Sequence, residues 1–166
     1  HVTHPEFIVF IDLALAARRD RELAAILRPA QRIFRRECYA MALELFPETG
    51  FTNAYGLTET SSTVALLGPD EHRAALASDD PKVRARLASV GQPLPTVECE
   101  IRDEDGNCVA PGEAGEIYLR GDQVSGEYKE KSALDAEGWF PTRDAGYIDE
   151  EGYLFLSGRA DDVIVR

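Results

Sequence analysis

The spacing of apolar residues changes once along this 166-residue chain, and that change restricts the fold more than any other feature. Phe34, Cys38, Ala42 and Leu45 stand four, four and three residues apart, which is one face of a helix. Arg32, Arg35, Arg36 and Glu44 mostly take other faces. Beyond Gly91 the rhythm is different. Val97, Cys99 and Ile101 alternate with Glu98, Glu100 and Arg102, the period of a half-buried strand. The expected fold is therefore α/β in the first part, followed by mostly antiparallel β.

Local signals divide the chain further. The first 46 residues read as helical, with Pro29 stopping or restarting the run and Pro47 and Gly50 ending it. Phe51 to Ala54 reads as extended, and Val64 to Leu67 as a buried strand. Pro69 to Leu87 is polar, Ala-rich and helical in places. Asp103 to Asn107 is a turn, Ile117 and Leu119 mark another strand closed by Gly121, and Glu150-Glu151-Gly152 joins two halves of a hairpin. A boundary near Ser89 to Gly91 separates residues 1–90 from a β-rich, barrel-like part over 91–160.

Charge and cysteine usage narrow the function. Thirty Asp and Glu against eighteen Lys and Arg give a net charge of −12, which repels nucleic acid and anionic membranes. Phe7 to Ala17 is interrupted by Asp12 and is too short to span a bilayer, and it lacks the flanks of a signal peptide. Cys38, Cys99 and Cys108 are odd in number and contain no C-x-x-C, so neither a disulfide framework nor a zinc ribbon is expected, and a reducing cytoplasm fits. His1 and His4 read as part of a cut end or expression remnant rather than as metal ligands.

Three segments carry the chemistry. In Tyr55-Gly56-Leu57-Thr58-Glu59, a hydroxyl and a carboxylate one residue apart suit a phosphate oxygen and a divalent cation; a polar turn with Thr58 or Thr60 as a helix N-cap is the other reading. In Gly138 to Asp144, Asp144 suits a ribose diol or a simple turn, while Trp139 and Phe140 suit a core. In Gly158 to Asp162, Arg159 offers a bidentate grip on phosphate or ribose oxygens, or a solvated loop.

Taken together the order is informative. Asn53 to Glu59 resembles the N-x-Y-G-x-T-E segment of the adenylate-forming superfamily, which contains acyl-CoA synthetases, peptide-synthetase adenylation domains and luciferases. Ser89 to Pro95 resembles its S-x-G-x-P stretch, and Gly115 to Gly121 its G-E-[IL]-x-[IV]-x-G strand. Gly138 to Asp144 resembles G-W-[FY]-x-T-G-D, and Gly158 to Asp162 resembles G-R-x-D-D. The five motifs span Asn53 to Arg166, about two-thirds of the chain. Two departures stand out. Arg143 occupies the family's usual Gly, and Ile26 to Ala30 lies near the place of its small Gly-Gly-Ala stretch, which lines the adenine and acyl pockets.

The resemblance implies the back part of a large N-terminal domain, with the phosphate loop expected before His1 and a small Lys-bearing C-terminal domain expected after Arg166. It implies a two-step reaction: a carboxylate attacks the α-phosphorus of ATP to give acyl-AMP and pyrophosphate, and the thiol of CoA then displaces AMP. By resemblance, Tyr55 packs on adenine beside Ala54 and Gly56, and Asn53 bonds the exocyclic amine. Thr58 binds the α-phosphate and Glu59 holds Mg²⁺, the two catalytic positions. Asp144 accepts both ribose hydroxyls, Arg159 holds ribose or phosphate oxygens, and Asp161 is the hinge opening segment 161–166. Leu57 and the G-W-F-x-T form resemble acyl-CoA synthetases more than adenylation domains, which implies a fatty or aryl acid as substrate. An acyl-AMP ligase feeding a carrier protein, or a non-catalytic binding module derived from the family, are the alternatives; by itself the stretch is expected not to turn over.

Overall fold

The computed structural model describes residues 13, 15–17, 20–125, 127, 128 and 131–159. A long helix, α1 (Arg21–Leu45), is capped by Asp20, whose carboxylate accepts the Leu23 amide at 3.0 Å. The helix passes through Pro29, contrary to the expected stop or restart. Proline deletes only its own amide bond, and the turns on either side keep theirs. The buried face also differs from the Phe34–Cys38–Ala42–Leu45 stripe. Cys38 and Leu45 are exposed, whereas Ala40 and Leu43 are buried with Tyr39 beside them. The choice is made by what the helix packs on. Two short helices, α2 (Pro69–Ala77) and α3 (Pro81–Ala85), and a 3-10 turn (Arg86–Ala88) follow later in the chain, and Ala75 and Leu87 from this group meet that face.

Strands β1 (Asn53–Leu57) and β2 (Ser62–Leu67) form an antiparallel pair joined through a 3-10 turn, Thr58–Thr60. The extended stretch expected at Phe51 to Ala54 thus starts at Asn53 and runs on to Leu57. Neither Thr58 nor Thr60 is the N-cap of the turn; Leu57 precedes it, and its amide donates to the Thr60 hydroxyl oxygen at 2.9 Å. A short strand, β3 (Gln92–Pro93), adds to the other edge of β2.

The second sheet has the order β4 (Glu98–Arg102), β5 (Gly115–Arg120), β8 (Phe140–Ile148), β9 (Leu154–Arg159); the chain between β5 and β8 forms a separate two-stranded ribbon, β6 (Glu127–Tyr128) and β7 (Lys131–Ser132). Every ladder among the described residues is antiparallel. Helices mixed with strands in the first part and antiparallel strands alone after it is what the change of spacing predicts. The β8–β9 turn forms as expected, with the Asp149 carboxylate accepting the amides of Glu151 and Tyr153 at 3.0 and 2.8 Å.

One apolar cluster joins the sheets. Tyr55, Val64 and Ala65 pack with Ile101, Ile117, Leu119 and Leu154. Fully burying a side chain such as Leu119 is worth roughly 1.5–3 kcal/mol. Residues 90 and 91 tie the two halves: the Val90 amide donates to the Leu154 carbonyl and the Leu154 amide to the Gly91 carbonyl, each at 2.9 Å. Gly91 has φ +85°, and a Cβ there would collide with the Leu66 carbonyl, so no other residue fits without movement. Trp139 is buried between the guanidinium groups of Arg120 and Arg102, 4.4 and 4.9 Å from its ring, and Phe140 is buried beside it.

Candidate active site

Alternation along β1 turns Tyr55 inward, and its hydroxyl donates to Asp144 Oδ2 at 2.7 Å. Asp144 lies on β8 opposite Arg159 on β9, and Arg159 Nη1 donates to Asp144 Oδ1 at 3.0 Å. Both carboxylate oxygens are thus engaged, one from each sheet. The Asp144 amide donates to the Thr142 hydroxyl oxygen at 3.1 Å, and that buried hydroxyl donates to the Ile117 carbonyl at 2.9 Å. Burial is the main cause that raises the Tyr55 pKa well above the ordinary phenol value; Asp144 adds to it and the Thr142 hydroxyl offsets part. Tyr55 is therefore a neutral donor at any physiological pH.

Between Thr142 and Asp144, Arg143 adopts φ +62°. This left-handed conformation is the one a glycine takes without strain, so the departure from the family motif falls where glycine has a geometric purpose. The Arg143 amide donates to Glu116 Oε1 at 3.1 Å. Gly56 answers a steric demand of the strand pairing. A Cβ there would collide with the Ser62 carbonyl, at the irregularity in the β1–β2 register.

Ala54 to Glu59 and Ser61 to Thr63 line a cleft of about 780 Å³. Asp144 and Arg159 connect to this wall through Tyr55. The wall is braced from the second half of the chain. The Glu59 carbonyl accepts the Ser125 amide at 3.1 Å and its hydroxyl at 3.2 Å, and Gln123 Nε2 donates to the carbonyls of Thr63 and Thr60 at 2.9 and 3.3 Å. The Thr60 hydroxyl has one proton and two carbonyls in reach, Leu57 and Ser62, both at 2.9 Å. Neither the Thr58 hydroxyl nor the Glu59 carboxylate makes a hydrogen bond or ion pair among the described residues.

The structure therefore brings Tyr55, Asp144 and Arg159 into one network and puts Ala54, Gly56, Thr58 and Glu59 on the adjoining cleft. Asn53 Nδ2 donates to the Ser89 carbonyl at 2.6 Å, which leaves the side-chain oxygen as the acceptor. Asp161, His1 and His4 lie outside the described residues. Gln123 and Ser125 were not legible, because an irregular loop that grips carbonyls leaves no pattern; Thr142 was inside a recognised motif but without a role. No group of three or more His, Cys, Asp or Glu able to hold a metal occurs among the described residues. A single carboxylate on a cleft still suits Mg²⁺, which prefers one or two carboxylates plus substrate phosphates. No helix among the described residues is long and apolar enough to cross a membrane.

The fold is that of a class, the adenylate-forming enzymes. The structure resembles the amide bond synthetase McbA from Marinactinospora thermotolerans with a TM-score of 0.64 and 34% identity, over 79% of this chain and 26% of that one. It also resembles the o-succinylbenzoate coenzyme A synthetase of Bacillus subtilis, solved with ATP and magnesium ion, with a TM-score of 0.59 and 32% identity over 74% and 25% of the two chains. The family described as AMP-binding enzyme matches residues 16–129, and the chain belongs to that family. The 2-succinylbenzoate–CoA ligase of Bacillus velezensis is 41% identical over 117 residues, 68% of this chain and 21% of the relative. The acyl-CoA ligase sidI of Beauveria bassiana is 35% identical over 135 residues, 76% and 22%. The chain thus spans about a fifth of the length of these relatives.

Proposed function

We propose that this chain supplies the adenosine-binding wall of an ATP-dependent, AMP-forming acid–thiol ligase acting on an aryl or fatty carboxylic acid. The observation that carries the reading is the Asp144 carboxylate, held between Arg159 and Tyr55, the latter on the same cleft wall as Thr58 and Glu59. A carboxylate acceptor suits two ribose hydroxyls, and charge-assisted hydrogen bonds are the stronger kind. In this reading Tyr55 fixes the face on which adenine rests, with Ala54 and Gly56 leaving room beside it. Asn53 Oδ1 is the acceptor for the adenine amine, while Nδ2 keeps its bond to the Ser89 carbonyl and holds the side-chain amide in place. Residues 1–90 and 91–160 are two parts of one larger domain, and Asp161 opens the hinge.

The nucleophile, a carboxylate, is already ionised, so no general base is required. The obstacle is repulsion. Two unit charges about 4 Å apart repel by roughly 4 kcal/mol at an effective dielectric near 20. Thr58 donates to an α-phosphate oxygen, Arg159 adds positive charge at the sugar end, and Glu59 holds the Mg²⁺. The cation, when bound with ATP, supplies charge neutralisation at the phosphates. CoA is the thiol acceptor of this reading, and the 2-succinylbenzoate–CoA ligases among the relatives favour an aryl acid. The likeness to an amide bond synthetase favours a second reading, in which the acyl-AMP passes to another acceptor.

ATP–pyrophosphate exchange in the protein carrying this chain tests the assignment. Asp144→Ala and Glu59→Ala should each lower exchange roughly ten- to hundredfold, the loss of a hydrogen bond to a charged group being worth about 1.5–3 kcal/mol. Exchange at the unsubstituted level in both variants would remove the assigned roles. Nucleotide binding with no exchange in the unsubstituted protein would instead make this a binding module, and product analysis with and without CoA separates the acceptors.

A further inference from the structure

The backbone at Ser61 and Ser62 runs through φ +56° and +143°, a region that residues bearing a Cβ rarely enter. Strain of this kind persists only where the surroundings over-determine it, and it gathers where a protein must aim a group. The two serines directly follow the three-residue turn that carries Thr58 and Glu59. Local bonds supply part of the hold. The Ser61 amide donates to the Thr58 carbonyl at 3.1 Å, and the Thr60 hydroxyl oxygen accepts the Leu57 amide at 2.9 Å.

A second hold comes from the loop that follows β5. Gln123 Nε2 donates to the carbonyls of Thr60 and Thr63, at 3.3 and 2.9 Å, and these are the residues on either side of the strained pair. One amide nitrogen carries the two protons that this needs. The Thr96 hydroxyl donates to Gln123 Oε1 at 3.2 Å, which fixes the end of the amide that faces the carbonyls. Docking of the loop as such is served by Val124, which is buried in the core shared by the sheets. We propose that Gln123 is a positioning residue: it keeps Ser61 and Ser62 in their strained form and so sets the direction in which Thr58 and Glu59 face the cleft. The consequence for nucleotide rests on the reading of those two residues given above. Without the side-chain amide the serines relax toward negative φ, and rotation at these positions swings the turn that precedes them.

The test is made in the protein carrying this chain, with backbone hydrogen exchange and isothermal titration as separate readouts. Gln123→Leu keeps the bulk and removes the donor. It should speed hydrogen exchange at residues 58–63 at least tenfold and leave the β5 amides unchanged. Affinity for Mg·ATP should fall roughly three- to tenfold, the usual effect of one lost hydrogen bond, while affinity for adenosine, which in this reading meets Tyr55 and Asp144, stays the same. Thr96→Val, an exposed and nearly isosteric change, frees the amide to turn and should shift both readouts the same way by a smaller factor. Ser61→Gly relieves the strain at one position and should restore at least half of what Gln123→Leu loses. Unchanged hydrogen exchange in both Gln123→Leu and Thr96→Val, or no recovery with Ser61→Gly, overturns the proposal. Equal weakening of adenosine and Mg·ATP makes Gln123 a merely structural residue and overturns it too. Faster hydrogen exchange in Gln123→Leu, beside a Glu59→Ala variant that binds Mg·ATP at the unsubstituted level, supports the clamp and removes the metal role of Glu59 instead.

Discussion

Arg143 holds a backbone conformation that suits a different residue. A left-handed φ costs a side chain bearing a Cβ about 1–2 kcal/mol, and glycine gives back roughly 0.5–1 kcal/mol in unfolded-state entropy. Arg143→Gly should therefore stabilise the fold by up to about 1 kcal/mol, a rise in Tm of roughly 2–4 °C for a chain of this size, measured by calorimetry. A fall in Tm would show that the distant Glu116 carboxylate, 4.0 Å from Arg143 Nε, outweighs the strain. The neighbouring Asp144 illustrates a related tension. Its two oxygens are already satisfied by Tyr55 and Arg159, so ribose hydroxyls would enter by sharing or displacing those donors. The identities of these residues were legible as motifs. Their mutual bonds were not, since 89 positions separate Tyr55 from Asp144.

At the scale of the element, turns are where local sequence decided most. Asp135 precedes β8, and its carboxylate accepts the amides of Trp139 and Glu137 at 2.8 and 2.9 Å, which sets the entry of the buried indole. The Trp139 amide is the main reason that the Asp135 carboxyl lies below its ordinary value of 3.8, with the Glu137 amide and Arg102 adding to it. A depressed native value means that the fold favours the ionised form. This contribution is complete above about pH 4 and fades as pH falls through the lowered native value. Asp135→Asn should flatten that part of the acid limb, and urea midpoints taken from pH 5 to pH 2 would reveal it. An unchanged limb would mean that the turn carries no linked proton. The Asp103 turn and the β8–β9 hairpin were equally legible, because an Asx carboxylate acts within four residues. The buried face of α1 was not, because Ala75 and Leu87 choose it from more than thirty positions away.

For the molecule as a whole, the alternation beyond Gly91 correctly announced an antiparallel sheet, while the shared core of the two sheets could not be read from either half alone. The cysteines follow this burial. Cys38 and Cys108 are exposed and Cys99 is half-buried, all three free. Burial pushes the Cys99 thiol up to about 12, with Glu100 adding to it, and the Cys108 thiol is raised chiefly by its hydrogen bond to Glu100. Maleimide at neutral pH should label Cys38 and Cys108 in the folded chain and reach Cys99 only in denaturant, as counted by intact mass. Early labelling of Cys99 would mean that β4 opens readily.

The brace between Gln123, Ser125 and the Thr58–Glu59 turn carries one more implication. The three carbonyls of Glu59, Thr60 and Thr63 are gripped by a loop that belongs to the other sheet, so the turn is tied to that sheet as well as to its own Thr60 hydroxyl. Any sliding of the second sheet is delivered to the Glu59 carboxylate as through a lever arm, and drift at positions 123 and 125 alters the cleft while every residue of the recognisable motif stays the same.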